Sequence, residues 1–172
     1  MSFAIDDFAL FGLARRFALD RGELEARRRA LQAEVHPDRF TGADAAARRA
    51  AMQSAVRVNE AYARLGDPLR RAAYLCELAG ARVRAEDNTA MPPAFLQQQM
   101  AWRESLDEAT SRGEVEAIAR TLAEERERGF ARLAAALDDD RDFARAAQEV
   151  RALMFVERFA ADVEHRLDAL EA

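Results

Sequence analysis

The sequence predicts an all-α protein in two parts. Three observations predict it. Apolar residues recur at helical spacing over most of the 172 residues. Helix punctuation recurs with them: aspartates that can cap, glycines that stop, and a proline at a first helical position. One stretch, "VRAEDNTAMPP" from Val83 to Pro93, has no periodicity and holds two prolines. It marks residues 81–92 as a linker between a first part, 1–80, and a second, 93–172.

The first helix is short and apolar, from Asp7 to Leu13, with Gly12 at its end. Asp20 and Glu23 form a capping-box-like start for a second helix running to about Val35. Its inward stripe is Leu24, Leu31 and Val35, with Arg28 at the remaining stripe position; the spacing predicts that Arg28 lays its methylenes along the core edge and keeps its head in water. Pro37 ends this helix, because the residue before a proline disfavours the helical region. Asp44 caps a third helix reaching about Leu65, with the expected stripe Met52, Ala55, Val56, Asn59, Tyr62 and Ala63. Gly66 stops it, and Asp67 and Pro68 start a fourth as N-cap and first residue, followed by Gly80. Beyond the linker come three longer helices: about Pro93–Ser111, broken at Gly113; Glu114–Leu137, broken at "DDD"; and Arg141 to about Leu170. Short connections between long helices predict antiparallel neighbours, hence a three-helix bundle.

Composition narrows the function. The net charge of -5 argues against a nucleic-acid partner. Residues 1–80 carry 13 Arg and 11 Asp+Glu, whereas residues 81–172 carry 13 Arg and 20 Asp+Glu. A mildly basic part joined to an acidic one predicts two surfaces with different partners. The single cysteine, Cys76, excludes an internal disulfide and a CxxC site, and points to a reducing, cytoplasmic setting. No stretch reads as a signal peptide or a membrane span.

The corner between the second and third helices, "AEVHPDRFTG", carries His36, Pro37 and Asp38. It reads three ways. It can be a plain helix stop. It can be catalytic or metal-binding, but a triad needs a nucleophile, a metal site needs further ligands, and the other histidine, His165, lies near the far end of the chain. It can be a presented recognition loop, stiffened by proline and therefore binding at small entropic cost.

The residues around it carry a resemblance. "DDFALFGL", "ELEARRRALQAEV", "HPDRF", "VNEAYARLGDPLRRAAYL" and "AFLQQQMAWRESLDEA" together resemble the HscB family, J-domain co-chaperones of iron–sulphur cluster assembly. The resemblance covers almost the whole chain. It implies an L-shaped all-α molecule of bacterial type. An N-terminal J-domain, an antiparallel helix hairpin with short flanking helices, occupies 1–80, and a C-terminal three-helix client-binding bundle occupies 93–172. It also implies docking on the ATPase of an HscA-type, DnaK-like chaperone through His36, Pro37 and Asp38, with Arg27, Arg29 and Arg39 facing acidic chaperone surface. An IscU-type scaffold protein is the implied client; an adaptor for a different client is the alternative. No enzyme activity, cofactor, metal, nucleic acid or membrane is implied. Arg28 departs from the pattern, since J-domains usually place a core aromatic there. Gln97 and Ala101 stand where the family often has a larger apolar residue and a carboxylate.

The bundle also shows a misfit by geometry alone. With Phe95 at zero and about 100° per residue, Trp102, Leu106 and Ala109 fall within about 40° of it. Leu96, Met100 and Glu104 fall at about 100°, 140° and 180°. In the last helix the stripe runs Phe143, Ala147, Val150, Leu153, then Val156, Ala160, Val163, Leu167 and Leu170, and Phe155 lies about 100° or more from it. The pattern therefore predicts that Leu96, Met100 and Phe155 point away from the core beside Glu104, and that truncating them leaves the fold intact. The resemblance assigns this face to the scaffold.

Overall fold

Asp6 begins the first helix, α1 (Asp7–Phe11), by accepting the Ala9 N–H at 3.0 Å, and Gly12 ends it in the left-handed region at φ 63°. In the computed structural model, which describes residues 5–35, 42, 44–83 and 91–170, every regular element is helical. Partial burial pushes the Asp6 carboxyl up, but the Ala9 N–H and the Arg15 guanidinium outweigh it and hold it below the usual carboxylate range.

The aspartate caps stand where the sequence placed them. Asp20 accepts the Glu23 N–H at 2.9 Å and starts α2 (Arg21–Glu34). Asp44 accepts the Ala47 N–H at 2.7 Å and starts α3 (Ala45–Gly66). Asp67 accepts the Arg70 N–H at 2.8 Å ahead of α4 (Pro68–Leu78). Each satisfies a backbone donor that has no partner inside its helix. The chain divides into two compact units, residues 1–75 and 76–172, so the division falls inside α4.

In the first unit α2 and α3 run antiparallel. Leu24 lies beside Gly66, the Glu25 carboxylate accepts from the Tyr62 hydroxyl, and Gln32 donates to Asn59 at 3.1 Å. The core is Phe8, Phe11, Phe17, Leu24, Ala51, Val58, Ala61, Leu65, Leu69, Ala72 and Leu75. This corrects the α3 stripe. Met52 is 62% exposed and Val56 57% exposed, and the buried side is Ala51, Val58, Ala61 and Leu65. The rotation has a cause in Asp7, which is fully buried. Its carboxylate binds Arg64 at 2.8 Å and also Arg57, and its backbone N–H donates to the Tyr74 hydroxyl at 3.1 Å. Arg57 and Arg64 flank Val58, Ala61 and Leu65, so the ion pairs turn that side of α3 toward α1. Arg71, also buried, donates from Nε to the Phe17 carbonyl at 2.9 Å and to the Leu65 carbonyl, which closes the end of α3.

The second unit holds α5 (Pro93–Glu108), α6 (Arg112–Ala134) and α7 (Phe143–Ala169). Helix α5 ends three residues earlier than Ser111, because Ser111 belongs to the next helix as its N-cap. Ser111 and Glu114 form a reciprocal capping box, and Glu114 accepts the Thr110 and Ser111 N–H groups at 2.8 and 2.9 Å. Those two donors hold its carboxyl below the usual range. Gly113 therefore lies in the first turn of α6 rather than breaking the chain. Helix α6 widens into a π-helical turn at Ala135–Asp139 before Asp142 caps α7. Gly129 gives Leu153 its place where α6 meets α7: a Cβ there would stand 2.7 Å from Leu153 Cδ2 and 3.1 Å from its Cγ, so that side chain would have to shift.

Two stability measurements test this packing. Asp7→Asn removes the charge that both arginines need, and chemical denaturation should show a loss of about 2–3 kcal/mol. Gly129→Ala should destabilise by about 1–3 kcal/mol, although alanine is the better helix former, because Leu153 must leave its position. An unchanged or raised melting temperature for either variant would contradict the packing described.

Candidate functional site

Two surfaces, one in each unit, carry the side chains singled out in the sequence. In the first unit, His36, Pro37, Asp38 and Arg39 lie outside the described residues. Arg27 and Arg29 are described and exposed on α2. Arg27 reaches Glu23 one turn back at 3.4 Å, a solvated pair that leaves its charge available.

Arg28 does not behave as expected. Its head stays partly exposed but does not run straight out to water; the guanidinium lies 4.2 Å from the centroid of the Tyr62 ring, beside Glu25 at 4.0 Å. Its Nε is buried without a hydrogen-bond partner. The cation–π contact replaces packing that an aromatic at this position would supply. Arg28 thus joins α2 to α3, while its neighbours Arg27 and Arg29 stay on the surface. The outward side of α3 adds Met52 and Val56, an exposed apolar pair that the stripe reading had assigned to the core. The signal for it was available: alanines at 50, 51, 55, 61 and 63 make the apolar direction of this helix ambiguous.

In the second unit, the α5 wheel holds. Trp102 and Ala109 are buried, and Phe95 and Leu106 pack against the same core. On the other side Met100 is 71% exposed, Leu96 is half-buried, and Gln97, Ala101 and Glu104 are exposed. Phe155 is a correction. It does not point away from the core but packs against it as one member of an aromatic cluster. Its ring stacks on Trp102 (centroids 6.3 Å, 11° between planes) and on Phe159 (5.9 Å, 12°), and meets Phe95 edge-on (5.9 Å, 85°). The reason is that α7 has two neighbours. One stripe, including Ala146, Val150, Leu153 and Val156, serves α6, while Phe155 meets the rings of α5 and stacks on Phe159, one turn on. A single-stripe wheel counts the second set as misfits and overlooks Phe159, which is only 4% exposed.

Among the described residues no group of three or more His, Cys, Asp and Glu side chains could hold a metal ion, and no helix is long and apolar enough to cross a membrane. Cys76 is buried, and burial pushes its thiol up to about 11, so it stays protonated near neutrality.

Residues 91–164 match the family model described as the HSCB C-terminal oligomerisation domain. The chain is 52% identical over 167 residues to the co-chaperone protein HscB homolog of Burkholderia mallei, a match covering 95% of each chain. Among solved structures it is similar to the chaperone HscB from Vibrio cholerae, with a TM-score of 0.89, 36% identity, and coverage of 96% of this chain and 99% of that one. It is also similar to the human co-chaperone protein HscB, with a TM-score of 0.87, 26% identity, and coverage of 96% and 84%.

The aromatic cluster predicts a split in stability. Phe155→Ala should cost about 2–3 kcal/mol, less than a fully buried Phe but far more than a surface residue. Met100→Ala should change stability by less than about 0.5 kcal/mol. Urea denaturation of the two variants measures the difference; equal costs would place Phe155 outside the core.

Proposed function

The chain belongs to the HscB family of co-chaperones, and from that premise we propose that it stimulates the ATPase of an HscA-type chaperone and delivers an IscU-type scaffold to it during iron–sulphur cluster assembly. The first unit works as the J-domain. His36, Pro37 and Asp38 trigger hydrolysis in the partner, and Arg27, Arg29 and Arg39 dock on its acidic surface. The second unit carries the scaffold on Leu96, Met100, Glu104 and the accessible edge of Phe155. The protein itself performs no chemistry, needs no cofactor, and acts in the cytoplasm.

One observation carries the client half of this reading. Met100 is the most exposed of the large apolar side chains described, on a helix whose opposite side already fills the core. An apolar residue held in water on a rigid element, next to an exposed carboxylate, is suited to a protein partner. The chaperone half is supported by the exposure of Arg27 and Arg29 on α2 and by the family membership.

Each half has its own measurement. His36→Gln should abolish stimulation of the chaperone ATPase and leave the helical circular dichroism unchanged. Reversing Arg27 and Arg29 to Glu should weaken chaperone docking, and wild-type docking should weaken with added salt, since exposed charges are screened over about 8 Å at physiological ionic strength. Leu96→Ala and Met100→Ala should each weaken scaffold binding by about 1–2 kcal/mol in calorimetric titration, with the melting temperature held. Full stimulation by His36→Gln, or wild-type scaffold affinity in both apolar variants, would refute the corresponding half.

A further inference from the structure

The aromatic cluster is not left bare on its outer side. Arg103, exposed on α5, places its guanidinium 5.4 Å from the centroid of the Phe155 ring. Leu96, Met100, Arg103 and Asp107 follow one another at spacings of four, three and four residues, so they form one ridge along α5. Carboxylates are near in sequence: Glu104 is adjacent, Asp107 is one turn on, and Glu108 follows, all exposed. Nevertheless Arg103 makes no ion pair among the described residues. Its cation lies near a ring, and among the described residues nothing accepts from its N–H donors, in the middle of an acidic helix end.

From this placement we infer that Arg103 is a specificity-determining residue of the client face, receiving an acidic side chain of the scaffold beside the apolar contact made by Leu96 and Met100. The inference rests on the client reading above. A guanidinium offers a planar fork that fits a carboxylate with paired hydrogen bonds, and its present partner, the Phe155 ring, does not compete for the in-plane N–H groups. The surrounding carboxylates, Glu104, Asp107 and Glu108, repel acidic groups elsewhere along the helix. The face thus accepts a carboxylate at one place and favours basic groups around it. Such a mixed pattern fixes the register of a partner better than the apolar contact can, because burial of Leu96 and Met100 has no direction.

The test titrates purified scaffold protein into the full chain and into Arg103→Met, Arg103→Lys, Arg103→Glu and Met100→Ala, at low and at high salt. Arg103→Met keeps the packing stem and drops the charge; its affinity should fall about tenfold at low salt, and its salt dependence should become shallower than that of the wild type. Arg103→Lys should retain more affinity than Arg103→Met. Arg103→Glu should bind more weakly than both, and reversing one scaffold carboxylate to a basic residue should restore it. The emission of Trp102, the single tryptophan, reports whether the ring cluster is intact in each variant. Should Arg103→Met disturb that emission, the restoration of Arg103→Glu by the reversed scaffold still decides. Wild-type affinity in Arg103→Met, or a loss equal at every salt concentration with no restoring partner change, overturns the inference. If Met100→Ala weakens binding in the same series, only the role of Arg103 has failed. If Met100→Ala also binds as wild type, or the wild-type chain does not bind scaffold, the client reading fails and takes the inference with it.

Discussion

The carboxylate of Asp7 is the constraint on which the first unit depends. It is fully buried, and a buried charge without partners would cost several kcal/mol. Its partners, Arg57 and Arg64, come from α3, while the backbone N–H of the same residue donates to the Tyr74 hydroxyl on α4. Satisfying one carboxylate therefore sets the rotation of α3 and the seat of α1 together. The stacked Phe8 and Tyr74 rings, with centroids 6.1 Å apart, and the Arg64 guanidinium 4.7 Å over Tyr74 extend the same contact. Arg57 and Arg64 remain about half-exposed, so the cluster keeps two charges hydrated while burying the third. Once α3 is turned this way, Met52 and Val56 have no inward position left. The exposed apolar pair is a consequence of the ion pairs rather than of weak packing.

That chain of cause explains what the sequence concealed. The caps at Asp20, Asp44 and Asp67 were legible because a capping aspartate acts on backbone within three residues of itself. So was the left-handed stop at Gly12. The rotation of α3 was not, because it is decided by Asp7, about fifty residues away in sequence, and because an alanine-rich helix has no strong apolar direction of its own. The wheel followed the larger side chains, Met52, Val56 and Tyr62, and came out about 120° from the buried side. Arg28 was recognised as a misfit, but only the position of Tyr62 shows that the misfit is answered by a ring.

In the second unit the same kind of error has a different origin. A helix in a three-helix bundle has two neighbours and needs two apolar stripes. Helix α7 meets α6 over Leu153 and Gly129, with Arg126–Glu157 and Arg132–Glu149 bridging the pair at 3.3 and 3.0 Å. It meets α5 through Phe155, which lies against Phe95 and Trp102 and is backed by Phe159. The α5 side was legible because that helix has one core stripe and its outward residues, Met100 above all, stayed outward. Phe155 was misplaced because it belongs to the second stripe of a helix treated as having one. The π-helical turn at Ala135–Asp139 had no sequence signal beyond the acidic run, which reads equally well as a simple break.

The placement of Phe155 changes what the proposed client face can be. A standard protein interface buries about 800 Å² on each partner, far more than Leu96 and Met100 present. Phe155 cannot make up the difference as a free contact, since most of its ring is spent on Trp102, Phe159 and Phe95. Beyond its accessible edge its contribution is indirect: it holds α5 against α7 and so keeps Leu96 and Met100 on a rigid support. Gln97 and Ala101, exposed on the same helix, add little apolar area. A face this small and this well supported gains affinity by losing little entropy on binding, and it must gain selectivity from charge. On the proposed reading, the charged groups at its edge, Glu104 and Arg103, are therefore as much a part of the face as the apolar pair between them.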